Sequence, residues 1–183
     1  MIRQVNQYAN GITEYSCQVF GDDRGRFLEL GRDSELAALG LPPFVQLNVS
    51  DSARGVLRGI HYQLPPSPQG KLVAVLAGSI WDLGVDLRRS SPTFGEWTGV
   101  EISAEAANLL FVPEGFGHGF VVLSEHATVL YRTTAEFDPE TDRSLAFDDP
   151  TIGITWPDTV GEFTVSAKDR AAPHLAEAEL FDG

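Results

Sequence analysis

The chain has 183 residues, with 26 acidic against 13 basic side chains and a formal charge of −13. That balance argues against a nucleic-acid or anionic-membrane surface, while the length suits one domain with a sizeable core. A single cysteine, Cys17, excludes an internal disulfide and fits a reducing compartment.

MIRQVNQYANG lacks the apolar run of a signal peptide, and no stretch reaches the roughly 18 apolar residues of a bilayer span. The expectation is a soluble, cytoplasmic protein with no membrane or nucleic-acid partner. QVFGDDRGRFLEL alternates poorly and would leave an exposed edge if unpaired. RDSELAALG is the clearest helix, ended by Gly40 as a C-terminal glycine ends one. FVQLNVS and KLVAVLAG read as strands. SIWDLGVDL alternates cleanly, with Trp81, Leu83, Val85 and Leu87 on one face and Asp82, Gly84 and Asp86 on the other. That is the period of a half-buried strand. GEWTGVEIS, NLLFVP and GHGFVVLS also read as strands, and ATVLYRTT puts Val129, Tyr131 and Thr133 on one face. SAKDRAAPHLAEAEL holds a helical turn or two. With 18 glycines and 11 prolines punctuating short strands, the pattern points to a β-sandwich or barrel. No repeat or linker divides residues 1–183, which read as a single domain.

Four histidines are present: His61, His118, His126 and His174. There is no HxH, HExxH or CxxC, which disfavours a metal site. No GxSxG elbow and no phosphate loop opening a helix are present either. What remains is a proton-transfer set. Histidine takes a proton near neutral pH. A carboxylate stabilises its charged form, a lysine stabilises a developing oxyanion, and a tyrosine can return a proton. The candidates are His61, Asp169, Lys71 and Tyr131. Each also has a plain structural reading. His61 could be an ordinary strand histidine, Tyr131 a core residue, Lys71 an edge lysine, and Asp169 the cap of the tail helix.

GVLRGIHYQLPP, QGKLVAVLAGSIWDLGVDLRRSSPTFGEW, FVPEGFGHGFVVLSE, YRTT and SAKDR occur in that order. Together they resemble the dTDP-4-dehydrorhamnose 3,5-epimerase family, from QVFGDDRGRFLE near residue 18 to about residue 175. The resemblance implies an all-β, cupin-like jelly-roll barrel with a few short helices. It further implies a homodimer that acts on a dTDP-4-keto-6-deoxy sugar without metal or organic cofactor. By position, His61 matches the family's base and Asp169 its dyad partner. Lys71 matches the enolate-stabilising lysine and Tyr131 the proton donor. Arg58, His118 and Lys168 match ligand contacts, and Gln46 and Asn48 the ends of a ligand-binding triplet. Arg24 and Glu29 match positions around the nucleotide, reached across the dimer, and Phe137 falls where a ring stacks on thymine. Phe27 and Asp142 complete the substrate-binding set. Leu47, in the middle of the triplet, Asp142 in place of a common glutamate, and Phe137 in place of a tyrosine depart from the family pattern. A single-centre epimerase on a related dTDP-sugar and a non-catalytic sugar-nucleotide-binding barrel are the competing readings. Arg58 and His61 are three apart, so a regular strand would point them to opposite faces. If both reach one ligand, the strand must be irregular between them, most naturally at Gly59.

Overall fold

The computed structural model describes residues 1–182. The strands are β1 (Ile2–Gln7), β2 (Thr13–Cys17), β3 (Val19–Asp22), β4 (Gly25–Leu28), β5 (Gln46–Ala53), β6 (Val56–Gln63) and β7 (Lys71–Ala77). They continue as β8 (Ser79–Asp86), β9 (Trp97–Ser103), β10 (Asn108–Val112), β11 (Phe116–Val122), β12 (His126–Thr133), β13 (Asp142–Ser144) and β14 (Thr164–Val165). The α-helices are α1 (Asp33–Ala38) and α2 (Ala167–Arg170), both short.

One sheet runs β1-β2-β10-β7-β12-β5 and the other β13-β6-β11-β8-β9, with β14 lying parallel to β6. Their inner faces share a core that includes Val73, Val75, Ile80, Ile102, Leu110, Val112, Phe120 and Val129. This is a cupin-like jelly roll. No helix among the described residues is long and apolar enough to cross a membrane.

Both sheets are also covered outside. Leu36 and Leu41, on and after α1, pack on Leu72, Ala74 and Leu109 of the first sheet. Gly40 ends α1 with φ +79, donating to the Ala37 carbonyl while Leu41 donates to that of Leu36. This pair of bonds satisfies carbonyls that the helix end would orphan. On the second sheet, Leu145, Ile152, Leu175, Leu180 and Phe181 cover Ile60, Tyr62, Leu83, Val85 and Leu87.

That cover corrects the reading of SIWDLGVDL. The strand is buried on both faces, and Asp82 and Asp86 are as fully enclosed as Leu83 and Val85. The Asp82–Gly84–Asp86 face looks into the barrel, where a Cβ on Gly84 would come within 2.7 Å of Ile12. The apolar face lies outside, under the C-terminal segment. Alternation identifies two faces, but not which of them looks into the barrel, and a covering segment distant in sequence buries the other as well.

QVFGDDRGRFLEL forms the β3–β4 hairpin, which lies off both sheets. The irregularity expected in β6 is present. His118 pairs with His61 and Phe120 with Arg58, so three steps on β6 oppose two on β11. Gly59 sits in this bulge at φ +117, and a Cβ there would lie 2.6 Å from the Gly119 Cα. A non-glycine residue held in such a region costs about 1–3 kcal/mol, before the overlap with backbone is counted. At about 2–4 °C per kcal/mol for a chain of this size, Gly59→Ala should lower Tm by about 5 °C or more. An unchanged thermal melt would show that the bulge tolerates a side chain.

Candidate active site

The bulge in β6 turns Arg58 and His61 toward the same cavity. That cavity has a volume of about 270 Å³ and lies between the sheets. Lys71 enters it from the start of β7, His118 and Phe120 from β11, Tyr131 and Thr133 from β12, and Asn48 and Ser50 from β5. Six of the sequence candidates, Asn48, Arg58, His61, Lys71, His118 and Tyr131, therefore converge, although they stand on five strands.

His61 Nε2 lies 2.7 Å from Asp169 Oδ1. The imidazole is 34% exposed and the carboxylate 5%. Asp169 is held by its own N–H donating to Ser166 Oγ at 3.1 Å, and its Oδ2 accepts the Gly59 N–H at 3.5 Å. Ser166, not Asp169, is thus the cap of α2. Burial raises the Asp169 carboxyl, but the bonds from His61, Ser166 and Gly59 outweigh it and leave the pKa below the ordinary range. A carboxylate kept charged at this distance orients the imidazole and stabilises its protonated form.

Lys71 Nζ donates to the His61 carbonyl at 3.3 Å. Burial draws its pKa down to about 8, against the pull of Asp142 and Asp82. The Tyr131 phenol lies 2.7 Å from Ser50 Oγ, and burial raises its pKa. Rings of His118 and Phe120 flank it at 6.1 and 6.3 Å. His118 Nε2 meets Asp82 Oδ1 at 2.7 Å in a second, fully enclosed histidine–aspartate pair. Burial pushes the imidazole down and the carboxyl up, each disfavouring its charged form.

The cations expected at the ligand are placed at the same end. Arg58 Nε donates to Ser52 Oγ at 3.0 Å. Lys168 Nζ pairs with Asp142 Oδ2 at 2.5 Å, tying α2 to β13. Arg58, His61, Ser166, Lys168 and Asp169 also line a groove running from the cavity past β14. Gln46 Oε1 accepts the Phe137 N–H at 2.7 Å, while its Nε2 donates to Asn48 Oδ1 at 2.9 Å. The Phe137 residue is exposed beside them.

Arg24, Phe27 and Glu29 stand apart. Arg24 pairs with Asp22 at 2.5 Å and Glu29 with Arg32 at 2.7 Å. Arg24 and Phe27 line a separate depression on the β3–β4 hairpin. Within one chain these three do not reach the His61 cavity.

Sequence reasoning passed over several contributors. Alternation sets Asp82 on one face of a half-buried strand and gives no sign of its enclosed contact with His118. Ser50 and Ser52 continue the alternation of Gln46 and Asn48 along QLNVSDS, so period two could have found them. Thr133, which also lines the cavity, shares the face of Tyr131 by the same period, whereas Gln69, in the loop before β7, carries no comparable signal. Among the described residues, no group of three or more His, Cys, Asp or Glu side chains could hold a metal ion.

A profile of the dTDP-4-dehydrorhamnose 3,5-epimerases matches residues 7–177. The chain belongs to this family. It is 49% identical over 166 residues to a dTDP-4-dehydrorhamnose 3,5-epimerase of Pseudomonas aeruginosa, covering 90% of this chain and 91% of that one. Its fold matches a dTDP-6-deoxy-D-glucose-3,5-epimerase from Legionella pneumophila, solved in complex with dTDP-4-keto-L-rhamnose. The TM-score is 0.94 at 39% identity, over 100% of this chain and 99% of that chain. A 4-keto-6-deoxy sugar epimerase from the novobiocin cluster of Streptomyces spheroides matches with a TM-score of 0.90 at 36% identity, over 97% of this chain and 89% of that one.

Membership in an epimerase family gives the cavity's composition a chemical meaning. Epimerisation needs a base, a place for negative charge and an acid. This 3,5-epimerase-family chain carries a histidine–aspartate pair, an ammonium and a phenol in one enclosure.

Proposed function

We propose that this chain inverts C3 and C5 of dTDP-4-keto-6-deoxy-D-glucose, giving dTDP-4-keto-L-rhamnose. The observation that carries this reading is the meeting of the His61–Asp169 dyad, Lys71 and Tyr131 on one cavity. The 4-keto group acidifies the neighbouring C–H bonds. His61 removes a proton from one face, and Asp169 stabilises the imidazolium that results. Lys71 holds the enolate oxygen at O4, and Tyr131 returns a proton to the opposite face. Each step is redox-neutral and uses only these side chains, so the reading needs neither metal nor organic cofactor. Arg58 and Lys168 face the diphosphate, where charge-assisted bonds are strong. Phe137 offers its ring to the thymine, with Gln46 holding its backbone. His118, Asn48 and Asp142 line the sugar and phosphate path.

Proton NMR in heavy water tests the reading directly. Deuterium at C3 and C5 with the L-configured product supports it. Deuterium at one carbon alone would assign a single-centre epimerase. Tight binding without exchange would leave a sugar-nucleotide-binding barrel.

Lys71 sets an expected pH dependence. Its working form is the ammonium, and its pKa is drawn down to about 8. The contribution of Lys71 is therefore present below that pH and lost as pH rises through it. The kcat/KM profile should fall on its alkaline side near pH 8, and Lys71→Arg should carry any residual activity to higher pH. A profile flat to about pH 10 would remove Lys71 from the charged role.

The reading includes a cytoplasmic homodimer of single-domain chains, with Arg24, Phe27 and Glu29 serving the partner's nucleotide end. Support comes from the exposed apolar surface near these residues and along the β5 edge. Phe20, Phe27, Val45, Leu47 and Val49 are all exposed, and unpaired edges of this kind are commonly covered. Mixing Arg24→Ala chains with His61→Ala chains should restore part of the activity, because one hybrid site would hold both intact residues. No recovery after confirmed subunit exchange would confine Arg24 to its own chain or to no site.

A further inference from the structure

We infer that Ser50 is a positioning residue for proton delivery: its hydroxyl donates to the Tyr131 phenol, aims the phenol's own proton into the cavity, and steadies the phenolate left behind. This rests on the epimerase reading and adds to it the device that makes Tyr131 an effective acid.

The geometry is local and specific. Ser50 lies on β5, where it pairs with Val129 of β12, while Tyr131 pairs with Asn48. The two side chains are diagonal neighbours on the cavity face, close enough for their oxygens to sit 2.7 Å apart. Among the described residues, Ser50 is the hydrogen-bond partner of the phenol. A phenol has a single proton. If Tyr131 donates to Ser50, that proton points away from the sugar. If Ser50 donates to Tyr131, the phenol's proton is free to face the enolate carbon.

The second arrangement is the one that supports chemistry. Burial raises the Tyr131 pKa, and the Ser50 bond opposes that shift. A bare phenolate in this enclosure would be costly, and a donor aimed at its oxygen reduces the cost. His61 has Asp169 to support the charge it gains, and Ser50 gives Tyr131 the matching support for the charge it acquires. The same row of β5 braces other groups, since Ser52 accepts from Arg58 and Gln46 accepts from the Phe137 backbone.

The step balances. The enolate's electron pair forms the new C–H bond, the Tyr131 O–H bond breaks, and phenolate remains under the Ser50 hydroxyl. Solvent water then reprotonates the phenolate, and the His61 imidazolium loses its proton to solvent.

The test uses the dimeric enzyme in heavy water with dTDP-4-keto-6-deoxyglucose, recording deuterium exchange and inverted product separately. Ser50→Ala should keep exchange within a few-fold of wild type while inverted product falls about tenfold or more. Ser50→Thr, which keeps the hydroxyl, should restore the wild-type partition. Adding Ser50→Ala to Tyr131→Phe should change the partition no further. Should Ser50→Ala fail to fold, Ser50→Cys replaces it, with a weaker donor of similar size. An unchanged partition, an equal loss of exchange and inversion, or an added effect in the Tyr131→Phe background would each overturn the role of Ser50. Wild-type enzyme that exchanges no deuterium would instead sink the epimerase reading itself, and the inference with it.

Discussion

His61→Ala should abolish hydrogen exchange at every carbon that the wild type exchanges. A positioned general base contributes roughly 10²–10⁴-fold, and no enolate forms without one. The cavity does contain another imidazole: His118 stands directly across from His61 on the neighbouring strand. It is a poor substitute. Its Nε2 is bound to Asp82, and burial lowers its pKa, so it takes a proton less readily than an ordinary histidine. Water reaching the vacated space is weaker still as a base. Asp169→Asn should fold and slow the reaction with its cavity intact, because an amide does not stabilise the imidazolium as a carboxylate does. Exchange in His61→Ala within a few-fold of wild type would take His61 out of the role. If that exchange vanished on adding His118→Ala, the role would pass to His118.

The location of this chemistry was legible in part from the sequence, for physical reasons that differ by residue. Strand periods reveal two faces, so Val129, Tyr131 and Thr133 were correctly grouped. Arg58 and His61, three apart, forced an irregular strand, and Gly59 was the residue able to supply it. The enclosure of the Asp82 strand on both faces was not legible, because the segment that covers its outer face, from Leu145 to Phe181, comes much later in the chain. Period two says nothing about which face a remote segment will bury. Asp169 illustrates the same limit from the other side. Its contact with His61 spans 108 positions, and only the family resemblance linked the pair beforehand. Arg24, Phe27 and Glu29 were expected at the nucleotide, yet in one chain they form their own surface. Nothing within one chain brings them to the His61 cavity.

Tyr131→Phe should separate proton abstraction from inversion. The substitution removes one hydroxyl and keeps the ring against His118 and Phe120, so the cavity wall changes little. The hydroxyl is not needed to make the enolate if Lys71 holds O4, and the His61–Asp169 pair does not touch it. Deuterium should therefore still enter at the wild type's carbons. Reprotonation would come mainly from His61, which has exchanged its proton with solvent and returns one to the face it attacked. The sugar would then be labelled with its configuration retained. Inverted product should fall much further than exchange, by the roughly 10²–10⁴-fold that a positioned acid contributes. A parallel fall in both would mean that the phenol also helps to form the enolate or to hold the sugar. If neither falls, water delivers the proton, and Tyr131 is the core residue that its apolar neighbours Val129 and Phe120 first suggested.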